Sequence, residues 1–208
     1  MGQVTPDNAR GPAGSPEPLL KRREVVRELL KERGDLLVVT GLGSACYDTG
    51  AAGDHPHNFY LWGAMGSAGM VGLGLALAQP HRRVLVITGD GEILMGLGSL
   101  ATIGAQRPGN LAVAVLDNGH YAETGMQRSH TSYGTSLQAV ASGCGIGTAL
   151  EIHTMQQVEA LRALLHRGPG PVFASIRVSP EEDPRVLPPR DGVFLKLRFR
   201  KQLGFEPQ

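Results

Sequence analysis

Three stretches of this chain run apolar without polar alternation and then stop on glycine or an acid: "DLLVVTG" (35–41), "RRVLVITGDG" (82–91) and "NLAVAVLDNG" (110–119). A strand with one wet face alternates apolar and polar residues; a strand covered on both faces does not. Two weaker runs, "GTALEIHT" (147–154) and "PVFASIRV" (171–178), extend the series. Between the runs lie segments of helical length and pattern, at 67–79, 94–106, about 136–144 and 155–167. Strands alternating with helices predict an α/β fold, a three-layer doubly wound parallel sheet with helices on both faces.

The 208 residues suit one domain, with residues 1–16, rich in Pro and Gly, expected as a flexible tail and 17–208 as the folded unit. Ser15, Pro16 and Glu17 read as a helix start, followed by apolar pairs at Leu19/Leu20, Val25/Val26 and Leu29/Leu30 and a stop at Gly34. The Lys, Arg and Glu residues of that helix read as a solvated face. "VFLKLRFRKQLG" reads as a closing helix packed on the outside. Helix 67–79 carries Gly69, Gly72 and Gly74 beside several alanines, which suits either tight packing on the sheet or a subunit interface. A net charge of +1 gives no electrostatic case for nucleic acid or a membrane surface. Cys46 and Cys144 are far apart, so neither a disulfide framework nor a CxxC metal site is expected, and the chain suits a cytoplasmic setting. No stretch reaches the ~20 apolar residues of a membrane span.

In an open parallel sheet, ligands bind beyond the carboxyl ends of the strands. Three such ends carry unusual residues: "VVTGLGSACYD", "ITGDGE" and "VLDNGHY". Gly89 and Gly91 permit a sharp turn into a helix, whose free N–H groups favour an anion. Asp90 is itself an anion, so a phosphate beside it needs a cation between them. Asn118 follows Asp90 by 28 residues, about one helix and one strand, and its amide oxygen is a hard neutral ligand. One carboxylate, one amide oxygen, a backbone carbonyl, water and two phosphate oxygens complete an octahedron suited to Mg²⁺.

"GDGEILMGLGSLATIGAQRPGNLAVAVLDN" resembles the thiamine-diphosphate motif, GDG followed some 25–30 residues later by Asn. The likeness extends over "NFYLWGAMGSAGMVGLGLALAQPHRRVLVITGDG" and "LDNGHYAETGMQ". Together these are similar to the diphosphate-binding domain of the thiamine-diphosphate-dependent 2-oxo acid decarboxylases, in particular those acting on sulfopyruvate and phosphonopyruvate. The resemblance implies that Asp90, Asn118 and the His120 backbone carbonyl bind Mg²⁺. It places Gly41 and Ser44 at the diphosphate, with the Gly89 turn and backbone N–H groups from Gly91, Glu92 and Tyr121. Gly63 would accept a hydrogen bond from the cofactor's 4′-amine, and Met65 would wedge the cofactor into its bent form.

In that family a glutamate on a separate pyrimidine-binding domain activates the cofactor, and residues 1–34 cannot form such a domain. The resemblance therefore implies a hetero-oligomeric lyase whose partner subunit supplies the activating Glu, with no catalytic residue of that kind in this chain and a small 2-oxo acid as substrate. Glu123 follows Asn118 by only five residues and is expected on the substrate side or behind the diphosphate; "AETG" departs from the serine-containing loop of the relatives. His120, Arg128 and His130 are read as a polar loop or as acid–base groups, and His55 and His57 as loop residues without a third metal ligand. Rival readings are the beta subunit of a 2-oxo acid oxidoreductase, a carboligase, or a non-catalytic thiamine-diphosphate-binding module. Two distant cysteines weigh against an iron–sulfur cluster in this chain, and the lack of GxGxxG after the first strand weighs against a dinucleotide domain.

Overall fold

A computed structural model describes residues 19–206. Its elements, in chain order, are α1 (Arg22–Leu29), β1 (Leu37–Thr40), α2 (Ser44–Ala51), β2 (Asn58–Tyr60), α3 (Ala68–Ala78), β3 (Val84–Gly89), α4 (Asp90–Met95), α5 (Gly98–Gln106) and β4 (Leu111–Asp117). There follow a short hairpin of β5 (His120–Tyr121) and β6 (Gln127–Arg128), then α6 (Leu137–Gly143), β7 (Thr148–Ile152), α7 (Met155–Arg167), β8 (Val172–Arg177) and α8 (Gly192–Gln202).

Six strands form one sheet in the order β2-β1-β3-β4-β8-β7, and every pair is parallel. The unbroken apolar runs are explained by their surroundings: β1 and β4 are buried at every position. Alternate side chains feed two cores. Val38, Leu85, Ile87, Ala112 and Ala174 face α1, α2 and α7, while Leu37, Val39, Val86, Val113 and Phe173 face α3, α5 and α6. The expected three-layer doubly wound architecture is therefore present. β1 leads outward to β2, whereas β3 leads the other way to β4. The chain reverses direction between β1 and β3, and a crevice opens beyond their carboxyl ends.

Several expectations need correction. Ser15–Glu17 lie outside the described residues, and helix α1 begins only at Arg22. Leu20 instead forms an isolated parallel bridge to Val178, extending the sheet edge. Arg22, expected on a solvated face, is buried. The helix expected over 94–106 is two helices, because α4 starts at Asp90 itself and Gly96 breaks the run. A side chain at Gly96 would overlap the Gly66 carbonyl, so the loop from β2 presses on the chain there. β2 and α2 were not foreseen. The closing helix is α8, which seats Leu195 and Phe199 inward and stacks Phe199 on Phe59 at 5.3 Å.

The glycines of α3 have distinct surroundings. A Cβ at Gly72 would overlap the Val86 side chain on the sheet, and one at Gly69 would lie 2.9 Å from Ser99 Oγ. These two fit close packing on the sheet and on α5. Gly74 has open space where a Cβ would stand. Gly72→Ala should destabilise the protein by about 1–3 kcal/mol through overpacking. Gly74→Ala should stabilise it by roughly 0.5–1 kcal/mol through helix propensity. Urea denaturation of the two variants measures both signs.

Candidate functional site

The crevice between β1 and β3 holds a cleft of about 600 Å³ when its solvent-open mouth is counted. Its wall is built from the residues that follow each strand: Leu42, Ser44 and Ala45 after β1, Met65 after β2, Gly89–Glu92 after β3, and Asn118 with the 120–124 hairpin after β4. Of the site residues expected from sequence, Ser44, Met65, Gly89, Asp90, Gly91, Glu92, Asn118, His120 and Tyr121 all line it. Gly41 stands just behind, against the Glu92 carboxylate. Gly63 is exposed on the loop before α3 at φ 100° and does not line the cavity.

Asp90 is 1 % exposed. Its Oδ2 accepts hydrogen bonds from Ser129 Oγ and, at 3.3 Å, from Thr131 Oγ1. No Lys, Arg or His lies within salt-bridge distance of it among the described residues. Burial pushes its carboxyl pKa up; the Ser129 hydroxyl and the Asn118 amide pull it down, while the Asp117 charge adds to the rise. Asp117 is itself paired with Arg177 at 2.6 Å, and Thr131 bridges it to Asp90. The β4 end then turns through Gly119 at φ 72°, which directs Asn118 and His120 toward Asp90. Asn118 Oδ1 accepts the His120 N–H at 2.9 Å.

No group of three His, Cys, Asp or Glu side chains placed to hold a metal occurs among the described residues. A soft or all-protein metal site is thus not built here. A buried carboxylate lacking a basic partner, beside an amide oxygen, is instead the donor set of a hard cation that keeps water and phosphate oxygens as its other ligands. Small residues let the hairpin after β4 close on the strand ends: a Cβ at Gly43 would lie 2.6 Å from the Glu123 side chain, and one at Gly91 would lie 2.5 Å from the Tyr121 ring. These residues fit a metal-bound diphosphate.

Glu92 has a role that sequence did not disclose. Its carboxylate accepts Thr88 Oγ1 at 2.8 Å and the Ala68 N–H at 3.4 Å, with further support from the Gly66 and Leu42 amides. A side chain at Gly41 would occupy its place. Burial raises its pKa, and these donors oppose the rise. Glu123 also lines the cavity and is held by Tyr47 Oη at 3.5 Å and Arg185 at 3.7 Å. His130 meets Tyr121 Oη at 3.3 Å, and Arg128 lies 6.0 Å from the Tyr133 ring centroid; neither lines the cavity. His55 and His57 pack edge-on at 4.8 Å before β2.

Residues 43–176 match the family model described as "Thiamine pyrophosphate enzyme, C-terminal TPP binding domain". The chain belongs to the thiamine pyrophosphate enzymes. It is 40 % identical over 162 residues to the sulfopyruvate decarboxylase subunit beta of Methanothermobacter thermautotrophicus, an alignment covering 78 % of this chain and 84 % of that one. The subunit beta of Methanocaldococcus jannaschii is 40 % identical over 129 residues, covering 62 % and 68 %. The phosphonopyruvate decarboxylase of Streptomyces viridochromogenes is 41 % identical over 146 residues, which cover 70 % of this chain but 36 % of that one. An X-ray structure of a Mycobacterium smegmatis enzyme described as thiamin diphosphate-dependent superposes with a TM-score of 0.67 at 23 % identity, covering 78 % and 32 %, and supports the shared fold. Thiamine diphosphate is accordingly the cofactor for which this family's domain is built. No helix among the described residues is long and apolar enough to cross a membrane.

Packing behind the cavity wall makes one thiol inert. Cys46 is wholly buried in α2, donates to the Gly41 carbonyl at 2.9 Å and has its pKa pushed up to about 12, chiefly by burial. At pH 8 it stays protonated. Iodoacetamide should label the half-buried Cys144 in the native protein and reach Cys46 only on unfolding, as peptide mass mapping with and without urea will read out.

Proposed function

We propose that this chain is the diphosphate- and Mg²⁺-holding subunit of a heteromeric 2-oxo acid decarboxylase of the sulfopyruvate and phosphonopyruvate type, with residues 17–208 as its cofactor domain. One observation carries the reading: every carboxylate lining the cavity is already engaged by the chain's own groups. Asp90 is tied to Ser129 and Thr131, Glu92 to Thr88 and the loop amides, and Glu123 to Tyr47 and Arg185. On this reading none of these described carboxylates is the activating glutamate, which a partner subunit supplies. The relatives support this division. The chain spans most of two proteins named as beta subunits but only about a third of the phosphonopyruvate decarboxylase.

On this reading Asp90, Asn118 and the His120 carbonyl hold the metal, and Gly41, Ser44, Gly89, Gly91, Glu92 and Tyr121 form the walls and backbone donors around the diphosphate. Gly63 and Met65 meet the aminopyrimidine end. When bound, thiamine diphosphate supplies the electron sink that decarboxylation of a 2-oxo acid requires. The protein's own share is to fix that group, bend it over Met65 and keep water from its diphosphate. Met65 in the cavity wall is 38 % exposed, and Met95, packed against Gly66 on the same loop, is 56 % exposed. An uncharged, adaptable surface of this kind suits cover by a second subunit.

Two outcomes are expected. Asp90→Asn should weaken Mg²⁺-dependent binding of thiamine diphosphate by about 100-fold or more while circular dichroism stays unchanged; unaltered calorimetric affinity refutes the metal assignment. The purified chain alone should release no CO₂ from sulfopyruvate or phosphonopyruvate, and addition of its co-purifying partner should restore turnover. Turnover by a partner-free sample overturns the divided site.

A further inference from the structure

We propose that Arg22 is an anchoring residue for the cofactor's diphosphate, reaching the site from a helix outside the segment that carries the family motif. The inference rests on the cofactor reading above and adds to it a residue beyond the family-matched 43–176.

Arg22 opens α1 and is 5 % exposed. Its Nε donates to Asp48, which is fully buried in α2. Asp48 also accepts Arg23 Nε at 3.2 Å. Two guanidinium groups thus share one carboxylate, and the cluster keeps an excess positive charge. Arg23 disposes of its own with the Pro184 carbonyl at 2.7 Å and Asp183 at 3.9 Å. Arg22 has no such outlet: its Nη1 is buried and finds no acceptor among the described residues. A buried charged donor without an acceptor is costly, and in a native fold it signals a missing ligand atom.

The cavity is where that ligand would lie. Arg22 lines it together with Ser44 and Ala45, in the first turn of α2. That helix presents its free N–H groups after Gly43, at φ 75°, with no side-chain cap. Helix N-terminus and guanidinium both favour an oxyanion, and the guanidinium fork matches phosphate geometry. The same cavity is lined by Asp90 and Asn118. A diphosphate bound there would be held by the metal that those residues carry and by Arg22.

The test is titration calorimetry of the full chain with Mg²⁺ and, in turn, thiamine diphosphate, inorganic pyrophosphate and thiamine monophosphate. Arg22→Met should weaken thiamine diphosphate and pyrophosphate by about 10- to 100-fold, as expected for one charge-assisted hydrogen bond, and should erase the preference over thiamine monophosphate. Arg22→Lys should recover part of the loss. Arg23→Met, which removes the other guanidinium on Asp48, should bind within about two-fold of the unaltered protein. Should Arg22→Met leave Asp48 unpaired and the fold unstable, the double variant Arg22→Met/Asp48→Asn removes the pair together and should still bind weakly. Pyrophosphate affinity within two-fold of normal in Arg22→Met or in the double variant overturns the proposal. So does a variant that keeps cofactor affinity and instead raises KM for the 2-oxo acid in the assembled enzyme, because the oxyanion would then be the substrate's. Failure of the unaltered protein to bind Mg²⁺ and pyrophosphate overturns the cofactor reading as well; loss of binding in Asp90→Asn with normal binding in Arg22→Met sinks the Arg22 assignment alone.

Discussion

Three carboxylates, Asp90, Glu92 and Asp117, are buried at the ends of two adjacent strands, and the loops above the sheet are arranged to satisfy them. A charge placed there must be paired, hydrogen-bonded or neutralised. Asp117 receives a cation, Arg177. Glu92 receives only neutral donors: one hydroxyl from β3 and amides from the loops after β1 and β2. Its carboxylate therefore ties three strand ends together, and Gly41 has no side chain because the carboxylate fills that position. Asp90 receives two hydroxyls and no cation. Of the three acids only Asp117 has a counter-charge; Glu92 and Asp90 are held by neutral donors alone, and both border the cavity.

The position of that cavity follows from the order of the strands. β1 and β3 are neighbours whose onward connections diverge, so no crossover covers the gap between their ends. The first turns of α2 and α4 both open there, one preceded by Gly43 and the other by Gly89. The hairpin after β4 folds back over the gap, and the Ser129 N–H bonded to the Gly119 carbonyl at 2.8 Å brings the Ser129 hydroxyl onto Asp90. The site is thus assembled from four strand ends, from Met65 alone after β2 to the run from Asn118 to Thr124 after β4.

Much of this was legible in the sequence. The strands were readable because burial on both faces leaves a continuous apolar run, and Asp90 and Asn118 because one helix and one strand between them return the chain to the same edge. Elsewhere the local signal is absent. β2 is three residues long and begins with a buried Asn, and α2, "SACYDTGA", has no amphipathic period. The break at Gly96 comes from a loop some thirty residues earlier in the chain. Glu92 reads locally as the first turn of a helix, and only the tertiary fold places Gly41 and Ala68 against it. Arg22 misleads for the same reason: its neighbours form a charged face typical of a solvated helix, and only the packing of α1 on α2 buries it against Asp48.

Charge balance favours a composite site. The cavity holds Asp90, Glu92 and Glu123 against Arg22, so the protein's own charges disfavour an anionic ligand that arrives without a cation. Arg185, lying 5.3 Å from the Tyr47 ring and within reach of Glu123, offsets one acid but stands outside the lining. On the proposed reading a metal-bound diphosphate would answer both demands, the cation meeting Asp90 and the remaining phosphate charge meeting Arg22 and the α2 amides. What this arrangement lacks is an unengaged acid at the mouth, where Met65 is exposed and uncharged. An apolar rim beside a charged floor exposes apolar surface to no advantage in an isolated chain. Under the divided site proposed above, a second subunit would cover it, exclude water and bring the missing carboxylate with it.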